Sequence, residues 1–451
     1  MSEARNEARE DAGELVLLGG TVVDPIARSQ RVADVTIRGG RIHSIEPASR
    51  GRARKESGEV LDVRGLLVTP GLVDMHVHLR EPGYEYKETI ATGARAAVTG
   101  GVTSIACMAN TRPVNDCPAV TRYILEKAKE AKLARVFPIG AVSVGLAGEQ
   151  LAAFAGMHEA GIVAVSDDGH PVMDAELMRR ALECANLFGI PVIDHAEDRA
   201  LACNGCMHEG AVSLRLGLPG IPAAAEDVMV GRDISLARLT GGHLHIAHIS
   251  SATAVDMVRE ARASGIRVTA EVSPHHLWLT DRAVEEYNTN AKMAPPLRTE
   301  ADRQALRAGL VDGTIDVIAT DHAPHHRDEK DCEFQSAANG VVGLETLLPL
   351  TLALVRDGLL DLPTAIAKVT CEPARILGLD VGTLAIGAPA DFAVIDPDLE
   401  WNVGREELKT KSKNTPFDGW TMRGRAVVSL VGGRVVHDER ERRALVERVE
   451  A

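Results

Sequence analysis

Two patterns of hydrophobic and polar positions succeed one another along the chain. Near the start, Leu15–Val23 and Val32–Ile45 alternate apolar and polar residues one by one, with Gly39-Gly40 placed for a hairpin turn. The pattern returns near the other end in Ser429–Val436, around Gly432-Gly433. TIRGGRIHSI (Thr36 to Ile45) and SLVGGRVVHD (Ser429 to Asp438) read alike. Two such ends predict one small β-domain assembled from both termini; the alternative is two separate hairpins lying on a larger body.

Between them, short apolar runs alternate with helical stretches, the pattern of parallel βα units. The candidate strands are Gly71–Leu79, Thr103–Asn110, Arg135–Val144, Gly161–Asp168, Pro191–Glu197, His243–Ser250, Arg267–Pro274 and Asp316–His322. Helical patterns at Cys117–Ala131, Asp174–Phe188 and Ala252–Ala263 lie among them. The class this predicts is α/β: a (β/α)8 TIM-like barrel with a small β-sandwich domain formed from both chain ends. A doubly wound open sheet is the alternative, but no glycine-rich phosphate turn follows the first strand. The expected division is a disordered tail over 1–12, the N-terminal part of the small β domain over 13–69, the barrel over 70–376 and the C-terminal part of the small domain over 377–451.

Composition narrows the function. The chain has 451 residues and a net charge of −14, with aromatic residues at 3%. That balance argues against nucleic-acid and anionic-membrane partners, and against base stacking on aromatic platforms. No apolar run is long enough to span a bilayer, and the polar start lacks the apolar core of a leader. Seven scattered cysteines do not form a disulfide framework. A soluble cytoplasmic protein is expected.

In a barrel the carboxyl ends of the strands carry the chemistry. Here they carry His76, His78 and Arg80, then Asn110, Asp167-Asp168, His195, His248 and Asp321. His76 and His78, two apart on a strand, share a face, and two imidazoles on one face can chelate a metal. A surface-facing polar pair is the alternative, which the other strand ends weaken. Two close dications need a bridging anion. Asp168 is the choice for it, ahead of Asp167, although alternation decides only that one of the two faces the site. A carbamylated lysine could also bridge, but no lysine occurs between Lys132 and Lys292.

These residues resemble a known family. PGLVDMHVHLREPG (Pro70 to Gly83) is similar to the dihydroorotase signature of the amidohydrolase superfamily. MANTRP (Met108 to Pro113), SDDG (Ser166 to Gly169), DHAED (Asp194 to Asp198), AHIS (Ala247 to Ser250) and ATDHAPH (Ala319 to His325) follow in the family's order, with GLET (Gly343 to Thr346) and ADFAVIDP (Ala390 to Pro397) after them. SDDG with HLREPG and NTRP points to the bacterial single-function type. The resemblance implies zinc, one or two ions and more readily two, with His76, His78 and Asp321 holding one, His195 and His248 the second, and Asp168 between them. It implies substrate contacts from His78, Arg80, Asn110 and His325. The implied reaction is the reversible opening of L-dihydroorotate to N-carbamoyl-L-aspartate, with Asp321 carrying the proton. A small-molecule substrate and a homo-oligomer are expected, and association with aspartate carbamoyltransferase is left open.

Two positions depart from the family pattern. Ala294 stands in KMAPPLR where Asn is usual, and Asn339-Gly340 precedes GLET where Phe-Gly is usual. Both concern substrate contacts. Competing readings are another cyclic amidase acting on hydantoins, dihydropyrimidines or allantoin, and a non-catalytic scaffold for the carbamoyltransferase. The absent strand lysine counts against the first and the full ligand set against the second. For Arg80 the structural alternative is a salt bridge to Glu81 or Glu85; for Asn110 it is a turn or cap. Cys203, Cys206 and His208, adjacent His275-His276, turn residue His170, early-strand His243 and His245, and Asp74 are expected to be structural or supporting.

Overall fold

The computed structural model describes residues 13–48 and 58–440. The predicted tail over 1–12 lies outside the described residues.

The two glycine-pair hairpins form as the alternation predicts. Ser29–Arg38 and Arg41–Pro47 pair antiparallel around Gly39-Gly40, and Thr421–Val431 and Arg434–Asp438 around Gly432-Gly433. All four glycines have positive φ, between 54° and 75°, a twist that suits the strands and that side chains resist. The turns also touch: a Cβ on Gly40 would stand 2.7 Å from the Gly432 carbonyl oxygen. The two chain ends therefore meet where their sequences look alike. They join one eight-stranded sheet, in which Leu67–Pro70 pairs with Glu14–Asp24 on one side and Phe392–Asn402 on the other. One apolar cluster runs through both halves, from Leu17 and Val35 to Phe392 and Leu430.

The middle of the chain is built of parallel strands. Leu72–Val77 pairs with Val102–Cys107, which pairs with Arg135–Pro138. Val192–Asp194, Leu244–Ile246, Val268–Val272 and Val317–Ile318 form a second parallel set in that order. Val165 bridges Gly140 on one side and Val192 on the other, and His322 bridges back to Val77. The order of pairing thus returns to the strand where it began. Helices Pro118–Ala131, Ala175–Phe188 and Ala252–Ala263 lie within a residue of their sequence patterns. The Asp174 carboxylate accepts the Leu177 N–H at 2.8 Å and so starts the second of these.

The paired strands are shorter than the sequence runs that predicted them, and the shortfall lies mainly at their carboxyl ends. His78, His195 and His248 lie one or two residues past the ends of their strands, and Asn110 and Asp321 three past theirs. There the backbone leaves the sheet: Arg80, His248 and Asp321 have φ of 63°, 32° and 47°. Left-handed backbone at non-glycine residues costs about 1–3 kcal/mol each and persists only where the surroundings enforce it. Three such residues at one rim mark where packing energy is spent on geometry.

Candidate metal centre and active site

Parallel strands place all their carboxyl ends on one side, so residues far apart in sequence converge. His76, His78 and Asp168 form one group of donor atoms, and Asp168, His195 and His248 another, with all atoms of each group within 4.8 Å of one another. Asp168 belongs to both. All five side chains are buried.

The donor atoms face one another in a way that protein alone does not satisfy. His76 Nε2 is buried with no hydrogen-bond partner and stands 3.5 Å from both Asp168 Oδ1 and Asp321 Oδ1. His78 Nε2 lies 3.0 Å from Asp321 Oδ1 and 3.4 Å from Asp168 Oδ2. His195 Nδ1 and His248 Nε2 point at each other at 2.9 Å, and His248 Nε2 is 3.3 Å from Asp168 Oδ1. Imidazole nitrogens and carboxylates aimed at common points, away from water, suit a divalent ion.

Charge follows the same geometry. Burial opposes a charge on His76, yet the carboxylates of Glu271 and Asp168 hold its pKa well above the ordinary 6.5. Against burial, the neighbouring histidines hold Asp168 well below, and Asp321 below, the usual carboxylate range. His195 is different: burial and the charge of His248 push it down to about 4, so it stays neutral.

Two of the ligand rings, His78 and His76, are oriented from behind. Asn110 Oδ1 accepts from His78 Nδ1 at 2.9 Å, and the Asn110 amide donates to the Asp168 carbonyl at 3.4 Å. Glu271 Oε1 accepts from His76 Nδ1 at 2.5 Å. Asp74 accepts the His76 and Thr320 N–H groups and the Thr320 hydroxyl, tying the first strand to the last. Asp167 is engaged elsewhere: it accepts from the backbone of Val142 and Ser143 and from the Ser143 hydroxyl.

Beside the histidines sits a buried cation. The Arg80 guanidinium donates to the Pro324 carbonyl at 3.2 Å and meets His325 Nε2 at 3.3 Å, and among the described residues it forms no ion pair. Glu81 and Glu85 are turned to other work, accepting the Ile90 and Gly83 N–H groups. Burial, with Arg80 and Lys87 nearby, pushes His325 down to about 3, so this ring is neutral. The remaining sequence candidates lie apart from this centre or support it. Cys203 is exposed, Cys206 is buried, and the two are not gathered with His208 into a donor group among the described residues. His276 donates to the Pro295 carbonyl at 3.1 Å, and His170 is exposed. Asn339 is exposed, whereas Gly340 is buried with φ of 135°.

The sequence reading passed over Glu271 and Asn414. A lone acid in the apolar strand Val268–Val272 was the available signal for the first. Asn414, in the segment between the strands Phe392–Asn402 and Thr421–Val431, accepts the His325 N–H at 3.0 Å and donates to the carbonyls of Ala323 and Gly340. Nothing local in its sequence announces that role.

Comparison with known proteins identifies the family. A family model described as dihydro-orotase-like matches residues 65–254, and one described as amidohydrolase family matches residues 338–437. The dihydroorotase of Geobacter sp. (strain M21) is 55% identical over 423 residues, covering 94% of this chain and 99% of the relative. That of Anaeromyxobacter dehalogenans (strain 2CP-C) is 54% identical over 427 residues, covering 94% and 98%. Among solved structures, L-hydantoinase (dihydropyrimidinase) from Arthrobacter aurescens superposes with a TM-score of 0.84 at 24% identity, covering 94% of this chain and 96% of that one. Dihydropyrimidinase from Brevibacillus agri NCHU1002 superposes at 0.80 and 24%, covering 94% and 95%. At that identity the two structures speak for the fold alone.

Proposed function

The chain belongs to the dihydroorotase family, and from that membership we propose how its own residues divide the work. It is a metal-dependent cyclic amide hydrolase that interconverts L-dihydroorotate and N-carbamoyl-L-aspartate in pyrimidine biosynthesis. The family implies a divalent metal, and the donor set fits one. The finer reading is zinc, two ions to a chain, held by His76, His78 and Asp321 on one side and His195 and His248 on the other, with Asp168 shared. The cyclic pairing of parallel strands supports closure as a (β/α)8 barrel, and the eight-stranded sheet from both ends supports the β-sandwich beside it.

When bound, such an ion lowers the pKa of a coordinated water towards about 7 and polarises a carbonyl oxygen. The rest falls to side chains. Arg80 receives the substrate carboxylate: its guanidinium is buried, seated on the Pro324 carbonyl and, among the described residues, forms no ion pair. His325, neutral and 3.3 Å away, adds a hydrogen-bonding group beside it without competing for the charge. Asp321, ionised and within 3.0 Å of His78 Nε2, takes a proton from the attacking water. The carbonyl carbon gains oxygen, the ring C–N bond breaks, and Asp321 passes its proton to the departing nitrogen. Cyclisation runs the same transfers backwards. Asn110 takes part chiefly by presenting His78 with its Nε2 towards the centre.

The observation that carries this reading is the nearness of a doubly shared carboxylate, Asp168, to a buried Arg80 that forms no ion pair among the described residues. The test is hydrolysis of L-dihydroorotate by the zinc-loaded chain, with a chelator and with Asp321→Asn as controls. Loss of activity in both is expected. Activity that survives Asp321→Asn removes that residue as proton carrier, and activity that survives metal removal rejects the metal centre. A homo-oligomer, a cytoplasmic location and association with aspartate carbamoyltransferase are further proposals, checked by sedimentation, fractionation and co-purification.

A further inference from the structure

The interior of the parallel strands is mostly apolar. A single cluster takes Met75, Ala106, Met108, Ile139, Ala164, Ile193, Ala247, Val317 and Ala319 from the strands and their ends, with Ile376 and Leu377 beneath. The strand Val268–Val272 contributes nothing to it. Val268, Ala270 and Val272 pack instead into the larger cluster against the helices, so alternation turns Thr269 and Glu271 inward. On the neighbouring strand Ile246 packs outward and His245 faces in, beside them.

These inward polar groups form a column. His243 Nε2 lies 2.9 Å from the Thr269 hydroxyl, which lies 2.8 Å from His245 Nδ1. His245 Nε2 faces Glu271 Oε2 at 3.3 Å; both atoms are buried and, among the described residues, have no other polar partner. Glu271 Oε1 then meets His76 Nδ1 at 2.5 Å. At the far end His243 and Thr269 line a cavity of about 440 Å³ with Arg262, Arg267 and Arg375. The column therefore runs from that cavity, through the interior, to a ligand ring.

With His245 neutral, one arrangement of protons satisfies it. With Glu271 ionised, His76 Nδ1 and His245 Nε2 must both carry hydrogen. A neutral His245 then offers Nδ1 as acceptor, the single Thr269 hydroxyl proton goes there, and His243 Nε2–H donates to the Thr269 oxygen. Every donor points towards Glu271. The consequence at the far end is that the proton His76 retains sits on Nδ1, so the one an ion displaces is on Nε2, the atom that faces Asp168 and Asp321.

We propose that His243, Thr269, His245 and Glu271 are positioning residues, a buried column that fixes the tautomer and tilt of His76 and so sets how tightly the centre holds its metal. This rests on the metal-dependent reading of the site. Carboxylate partners behind ligating histidines typically change metal affinity about 10–100-fold when removed, and here the support extends two residues further, to a hydroxyl that touches no ligand.

The test uses the full chain, stripped and reloaded with Co²⁺ or Zn²⁺, reading the dissociation constant by chelator competition and the visible spectrum of the Co²⁺ form. Glu271→Gln should weaken binding about 10–100-fold. Thr269→Val, close in shape and remote from the centre, should weaken it less but in the same direction, shift the Co²⁺ spectrum, and add nothing in the Glu271→Gln background. If Glu271→Gln does not fold, Thr269→Val with His243→Asn carries the test. Variants that lower the melting temperature while leaving metal affinity and spectrum unchanged overturn the proposal. A wild-type chain that takes up no divalent ion fails the site reading itself, which is a different outcome.

Discussion

Asn414→Ala should damage substrate binding more than turnover. The Asn414 side chain is buried and makes three hydrogen bonds, accepting the His325 N–H at 3.0 Å and donating to the Ala323 and Gly340 carbonyls at 2.9 and 3.0 Å. Its removal strands one backbone donor and two acceptors. Unsatisfied buried groups cost about 1–3 kcal/mol each, and partial relaxation makes a total of about 3 kcal/mol reasonable. The stretch it releases, Ala323 to His325, carries the Pro324 carbonyl and His325 ring on which Arg80 rests. A charge-assisted contact to the substrate carboxylate is worth about 1.5–3 kcal/mol. At about 1.4 kcal/mol per tenfold, its loss raises KM roughly 10–100-fold. The metal ligands are not touched by Asn414, so kcat should hold. Initial rates across L-dihydroorotate concentrations, with a thermal melt of the same sample, provide both readings. A melt that falls while KM stays unchanged refutes the reasoning, because it makes Asn414 a prop for the fold alone.

Arg80→Met should raise KM for L-dihydroorotate by at least about tenfold while leaving turnover of an uncarboxylated ring, if measurable, unaffected; equal losses on both substrates would contradict the carboxylate role. Metal affinity should fall as pH falls, because the raised pKa values of His76 and His248 mean an ion must displace their protons, at about tenfold per pH unit for each. Since His76 lies well above 6.5, the dependence should already show above that pH in chelator competition. In the metal-free chain the sign reverses: the two raised histidines stabilise the fold fully below the unfolded value near 6.5, and that contribution is lost as pH rises through their folded values. Lys330→Met should cost about 1–3 kcal/mol in urea unfolding, since the Lys330 amine donates to the carbonyls of Thr289, Lys292 and Ala338, and replacement strands that of Ala338 while the other two keep the N–H groups of Lys292 and Gly340.

The sequence by itself determined where the chemistry would stand. Hydrophobic runs of strand length, each followed by a helical pattern, put their polar last residues on one rim, because parallel strands share a direction. That logic brought His76, His78, the pair Asp167-Asp168, His195, His248 and Asp321 to one rim as candidates, and the matching glycine-pair hairpins foretold that the chain ends would meet. The tertiary structure decided the rest. Which of two adjacent aspartates faces the centre depended on the Val142–Ser143 backbone claiming Asp167. Glu271 reaches His76 across 195 positions and Asn414 reaches His325 across 89. A hydrogen bond is short and directional, so its partner is set by where whole strands and loops come to rest, and no local period in the chain encodes that.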